Sequence, residues 1–132
     1  MILVDTSILI DYLKDKNSPE IEKFNTILDL QIPFGITGQI YQEILQGTSS
    51  QKDFNTLKKY LDTFNFYFPQ DSIQSYSEAA LIYFKCRKQG ITVRSTIDCL
   101  IVQICLESKL KLLHKDNDFF NIQKVIKKLE FY

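Results

Sequence analysis

Met1-Ile-Leu-Val-Asp-Thr-Ser7 is the stretch on which the fold turns. Met1 to Val4 form a short apolar run without alternation, the pattern of a strand buried on both faces of a parallel sheet. The run stops at Asp5, and Ile8, Leu9, Tyr12 and Leu13 then follow helical spacing. A carboxylate at the carboxyl end of a parallel strand, beside a helix start, lies where open α/β sheets place ligands. Asp5 fits a helix cap equally well on this fragment alone.

Outward from this point, helical and strand patterns alternate. A helix over 6–14 ends in the polar loop Lys14-Asp-Lys-Asn17, and Ser18-Pro19-Glu20 starts another with Ile21, Phe24 and Leu28 on one face. Ile32-Pro-Phe-Gly-Ile36 reads as a strand. Thr37 caps a helix that buries Ile40, Tyr41, Ile44 and Leu45 and ends at Gly47. A helix over 50–62 precedes a strand marked by Phe64, Phe66 and Phe68. Asp71-Ser-Ile-Gln74 resembles a capping box opening a helix with Ile73, Tyr76, Ala80 and Tyr83 in register, ended by Gly90. Ser95 opens the next, with Ile97, Leu100, Ile101, Ile104 and Cys105 buried. Leu110–His114 reads as a strand, Asp116-Asn-Asp118 as a turn and Leu129–Tyr132 as a terminal strand. Alternation of this kind means a mostly parallel α/β sheet.

At 132 residues, 45% apolar and 24% charged, the chain reads as one globular domain over 1–132. Its apolar runs are too short for a membrane span, and no leader pattern is present, so a cytoplasmic protein is expected. Cys86, Cys99 and Cys105 make no CxxC pair and read as reduced, partly buried thiols. Net charge is zero, but residues 1–84 hold 6 Lys/Arg against 11 Asp/Glu and residues 85–132 hold 10 against 5. That split fits an acidic pocket framed by a basic face, and equally a solvated lysine-rich surface.

Four acids project toward one sheet rim on this framework: Asp5 and Asp116 after strands, Asp98 in a first helical turn, and Glu43 a turn into its helix. Each has a plainer use. Asp98 completes a capping box with Ser95, Glu43 suits a solvated helix flank, and Asp116 and Asp118 suit a turn. Asp11 and Asp15 read as surface residues. Clustered carboxylates repel, and a hard divalent ion is their natural counter-charge: Mg²⁺ or Mn²⁺ takes carboxylate oxygens and retains waters for phosphate. Two such ions ~3.5–4 Å apart suit phosphodiester hydrolysis. Zinc is disfavoured by the lack of a His cluster or Cys pair, and no glycine-rich nucleotide loop is present.

Val4-Asp-Thr-Ser7, Glu43-Ile-Leu-Gln-Gly47, Ile97-Asp-Cys-Leu-Ile101 and Lys115-Asp-Asn-Asp-Phe119 together resemble the blocks of PIN-domain ribonucleases, in order and spacing. Val93-Arg-Ser-Thr-Ile-Asp-Cys-Leu-Ile101 is especially similar to the VapC toxins of toxin–antitoxin pairs. The resemblance covers essentially the whole chain. It implies a three-layer sandwich of helices around a five-stranded sheet and a Mg²⁺/Mn²⁺-dependent endoribonuclease site. Asp5, Glu43, Asp98 and Asp116 would be its catalytic acids and metal holders, with Asp118 a further outer ligand and Thr6 supporting the first aspartate. It also implies a homodimer and a cognate antitoxin whose tail covers the acidic pocket. His114 departs from the pattern, standing where relatives carry Thr or Ser; it reads as structural, or as a replacement hydrogen-bond donor. Arg94, Lys115 and Arg87 are candidates for RNA contact, although Arg87 also suits a partner-facing position.

Two rivals remain at this stage. One is a non-catalytic PIN-like protein that binds nucleic acid or a partner and uses its acids as caps. The other is a phosphoryl-transfer receiver domain, which needs paired acids at one strand end that Asp5-Thr6 does not offer.

Overall fold

Ile2, Leu3 and Val4 are all buried, the last two completely. Side chains alternate across a strand, so three buried in a row require cover on both faces. The computed structural model, which describes residues 1–132, supplies it. Strand β1 (Ile2–Val4) is the middle of a five-stranded sheet with β2 (Phe34–Thr37), β3 (Asn65–Tyr67), β4 (Lys111–Leu113) and β5 (Glu130–Phe131). The order is β3-β2-β1-β4-β5 and every neighbouring pair is parallel. The chain fills one side of β1 first and then crosses to the other, so the topological switch point lies between β1 and β4.

Helices α1 (Thr6–Leu13), α2 (Pro19–Asp29), α3 (Gly38–Gln46) and α4 (Gln51–Leu61) pack in succession, α1 on α2 and α3, and α3 on α4. Helices α5 (Gln74–Lys88) and α6 (Thr96–Ser108) pack tightly together, and α7 (Asn117–Gln123) lies against α6. Ser18, Thr37, Ser50 and Ser95 each accept a backbone N–H at a helix start, and Glu20 and Glu22 sit at the positive end of α2. The three cysteines are free and buried. Aromatic rings form an edge-to-face series, Tyr12–Phe24–Phe34–Phe64–Tyr60, with centroids 5.0–5.5 Å apart, in which Tyr12, Phe24, Phe34 and Phe64 belong to the core or pack against it. No helix is long and apolar enough to cross a membrane.

Four local expectations need correction. Helix α5 does not bury the Ile73, Tyr76, Ala80, Tyr83 row: Ile73 is 77% and Tyr76 51% exposed. The neighbouring row Ser75, Ala79, Ile82 and Cys86 faces inward, because Ser75 Oγ satisfies itself on Glu107 of α6. Tyr76, Ala80 and Tyr83 instead line an apolar groove with Ile97 and Leu100, and Ile97, expected in the core, is 37% exposed. Asp71 Oδ1 accepts from the N–H groups of Ile73 and Gln74, but the helix begins only at Gln74. Asp116-Asn-Asp118 is not a free turn; Asp116 caps α7, a helix the sequence reading lacked.

Gly35 holds β2 against β3. A Cβ there would lie 2.5 Å from Tyr67 Cε2 and 2.6 Å from the backbone oxygen of Asn65, its register partner. Because backbone cannot swing aside as a side chain tip can, Gly35→Ala is expected to cost about 1–3 kcal/mol. Thermal unfolding measures this, and an unchanged Tm would mean that the β3 edge is free to slide.

Candidate active site

Strands β1 and β4 run side by side to their last register pair, Val4 with Leu113, and one further bond, Asp5 N–H to Leu113 O at 3.0 Å, closes the ladder. Beyond it the two chains part into helices. Asp5 caps α1: Ser7 donates to its Oδ2 from the backbone N–H (3.2 Å) and from Oγ (2.7 Å). Asp116 caps α7, its Oδ1 accepting the Asp118 N–H at 2.9 Å. In each case only one of the two carboxylate oxygens makes the cap bond, so cap and ligand are not exclusive uses. Asp98 is different. Ser95 caps α6, but Asp98 makes no return bond, and the expected capping box is half formed.

One carboxylate oxygen from each of Asp98, Asp116 and Asp118 lies within 4.8 Å of the other two. Opposite ligands of an octahedral Mg²⁺ stand about 4.2 Å apart, so this trio fits a hard cation with little movement. Asp118, expected as an outer ligand, belongs to that tight group, whereas Asp5 and Glu43 stand outside it. Their charges still reach it. Burial first, then repulsion from Asp5, Asp116, Asp118 and Glu43, lift Asp98 from 3.8 to about 7. Burial likewise raises Asp5, against the lowering effect of the Ser7 bonds, and raises Glu43. An all-oxygen set whose members hold back one another's ionisation is the donor chemistry a divalent cation relieves. The five acids therefore converge on one rim, at the switch point.

The supporting residues differ from expectation in several places. The hydroxyl donating to Asp5 belongs to Ser7. Thr6 Oγ1 is buried without a hydrogen bond, yet lies near enough to Glu43 to favour its ionised form. His114 is no donor to the cluster: its Nδ1 accepts the Asp116 N–H at 3.1 Å, fixing the backbone of that arm, while Nε2 has no partner. Phe119, Phe120 and Phe131 enclose the ring, and burial drops its pKa from 6.5 to about 4. Arg94 leans over the acids, Nε at 3.1 Å from Asp118 Oδ2 and a terminal nitrogen at 3.7 Å from Asp116 Oδ1, with 73% of its side chain exposed. Arg87 makes no contact with the cluster; its guanidinium stands 5.9 Å from the ring centroids of Tyr83 and Phe84 on its own helix.

Lys115 is bonded to Asp11, and Asp11 is only 6% exposed. Its reading as a surface residue is thus wrong, because a partner 104 positions away in sequence neutralises it. Ser7 and Asp11 are the two site residues that the sequence reading missed. A signal existed: they are one turn apart on one face of α1.

An α/β sheet with acids gathered at its switch point defines a class of fold and site. The chain belongs to the PIN domain family, whose model matches residues 2–125. It is 29% identical over 126 residues to "Ribonuclease VapC11" of Mycobacterium tuberculosis, covering 95% of this chain and 93% of that protein. The "VapC ribonuclease Mb1587" of Mycobacterium bovis matches to the same extent. Among solved structures, the VapBC2 complex of Rickettsia felis bound to a promoter DNA fragment superposes with TM-score 0.75 at 12% identity, covering 100% of this chain and 98% of that one. VapBC-1 of nontypeable Haemophilus influenzae gives 0.73 at 20%, covering 100% and 97%. These structures establish the five-stranded PIN-like sandwich.

Proposed function

We propose that this chain is the ribonuclease toxin of a toxin–antitoxin pair, hydrolysing RNA phosphodiester bonds with Mg²⁺ or Mn²⁺ at the Asp5, Glu43, Asp98, Asp116 and Asp118 pocket. The observation that carries the reading is the Asp98–Asp116–Asp118 trio at cation-ligand spacing. The VapC ribonucleases it resembles point the same way. Bound there, a divalent ion would acidify a water and offset charge on the phosphate.

The chain's own residues do the rest. Asp98, Asp116 and Asp118 hold the cation. Asp5, at the end of β1, and Glu43, on α3, would orient the attacking water and receive its proton. Arg94, largely exposed and already above the acids, meets the substrate phosphate. Lys115 is less free for RNA, being committed to Asp11. A second copy and an antitoxin that covers the acids are the protein partners on this reading, and the cytoplasm is where both would be met.

The test is purified protein with RNA in Mn²⁺, Mg²⁺ or EDTA. Cleavage to 5′-phosphate ends with either ion, and none in EDTA, is expected. Cutting that persists in EDTA would reject the mechanism.

A further inference from the structure

Asp11 is a buried carboxylate on α1 with two cations on it: Lys115, in direct contact, and Lys16 at 3.8 Å. Leaving such a group unpaired would be costly, so the Lys115 head group is held there and is not free to roam. The backbone of Lys115 is held as well. Its N–H points to Ser7 Oγ at 3.4 Å, and that hydroxyl donates to Asp5 Oδ2 at 2.7 Å. Lys115 thus lies between His114 and Asp116 on the β4 arm, and reaches the β1 arm by both side chain and main chain. Beyond the last ladder bond these are the hydrogen bonds joining α1 to the β4–α7 connection.

We propose that the Asp11–Lys115 ion pair is a positioning clamp: by pinning the β4–α7 connection to α1, it sets where Asp116 and Asp118 stand relative to Asp98, and hence the pocket's affinity for its cation. The inference rests on the metal-site reading above and deepens it. Neither residue is among the acids that would hold the cation. Ligand sets tolerate displacements of only about 0.5 Å, so a released connection is felt at the site. The alternative is that the pair acts merely by charge through space, and the two accounts differ in sign. A charge effect makes Lys115→Met bind cation more tightly, since a positive charge is lost beside the acids. Loss of a clamp makes it bind more weakly.

Mn²⁺ titration by calorimetry, with thermal unfolding in EDTA alongside, separates them. Lys115→Met and Asp11→Asn are each expected to weaken Mn²⁺ binding about 10–100-fold, the range for residues that orient ligands from behind. The double variant should be no worse than the weaker single, and Lys115→Arg, which keeps the pair, should lie close to the unsubstituted protein. Should Asp11→Asn fail to fold, Lys115→Met decides alone, because its head group sits at the protein edge. Tighter binding by Lys115→Met, or a lowered Tm with unchanged Mn²⁺ affinity, overturns the clamp. Failure of the unsubstituted chain to bind Mn²⁺ overturns the metal-site reading and this inference with it.

Discussion

Asp98→Asn is expected to lower RNA cleavage by on the order of a hundredfold or more while making the metal-free protein harder to unfold. The two effects share one cause. Asp98 sits in the first turn of α6 with no hydrogen bond, half of its capping box unmade, facing four other carboxylates. Its pKa of about 7 says that ionising it in the folded chain is unfavourable. Asparagine keeps the size and removes the charge. The cation then loses a ligand, and the folded state loses a repulsion. In EDTA at about pH 8 the Tm should rise by roughly 3–6 °C. Asp62→Asn, on the remote α4 end where Lys58 and Tyr41 hold the carboxylate, serves as the control and should leave cleavage unchanged. Retained cleavage in Asp98→Asn, or a lower Tm, would mean that the residue is a structural cap and not a ligand.

What could be read from the chain, and what could not, follows from the range of each interaction. The β1 strand was legible because burial on both faces erases alternation, and Ile2, Leu3 and Val4 carry that mark themselves. The parallel α/β class followed from strands alternating with helices, but the order β3-β2-β1-β4-β5 did not, because no local pattern says which strands pair. Asp11 was illegible for the opposite reason: its burial depends on Lys115, and no local pattern announces a partner that distant. Ser75 misled in the same way, since a polar residue in an inward row looks like an error until Glu107 is beside it. The outer row of α5, with its tyrosines, then looked like the core. Helix α7 escaped because seven residues give no periodicity, and Asp-Asn-Asp reads as a turn wherever the first aspartate is really a cap. His114 shows the limit of reading by type. A histidine suggests a donor, but a backbone N–H pointing at Nδ1 makes it an acceptor.

The second large effect is on pH and metal together. For an acid whose folded pKa is raised, stability is fully present below the unfolded value and is lost as pH rises through the folded one. Asp98 therefore withdraws stability between 3.8 and about 7, and Asp5 and Glu43, both raised, act in the same direction. His114 runs the other way. Its pKa falls from 6.5 to about 4, so the unfolded chain takes up its proton first and stability is lost as pH drops through that window. The opposing contributions overlap below 6.5; above it only the acids remain. In EDTA the Tm should decline as pH rises from about 6 through about 7, where only the acids titrate, and level off by about pH 8. Mn²⁺ should abolish the decline, because it binds the ionised acids and supplies the counter-charge that they lack. Its apparent affinity should fall about tenfold for each pH unit below 7, one proton being displaced from Asp98. Unfolding curves across pH, with and without Mn²⁺, read both effects at once. Stabilisation by Mn²⁺ that is as large at about pH 5.5 as at pH 8 would separate the cation from Asp98.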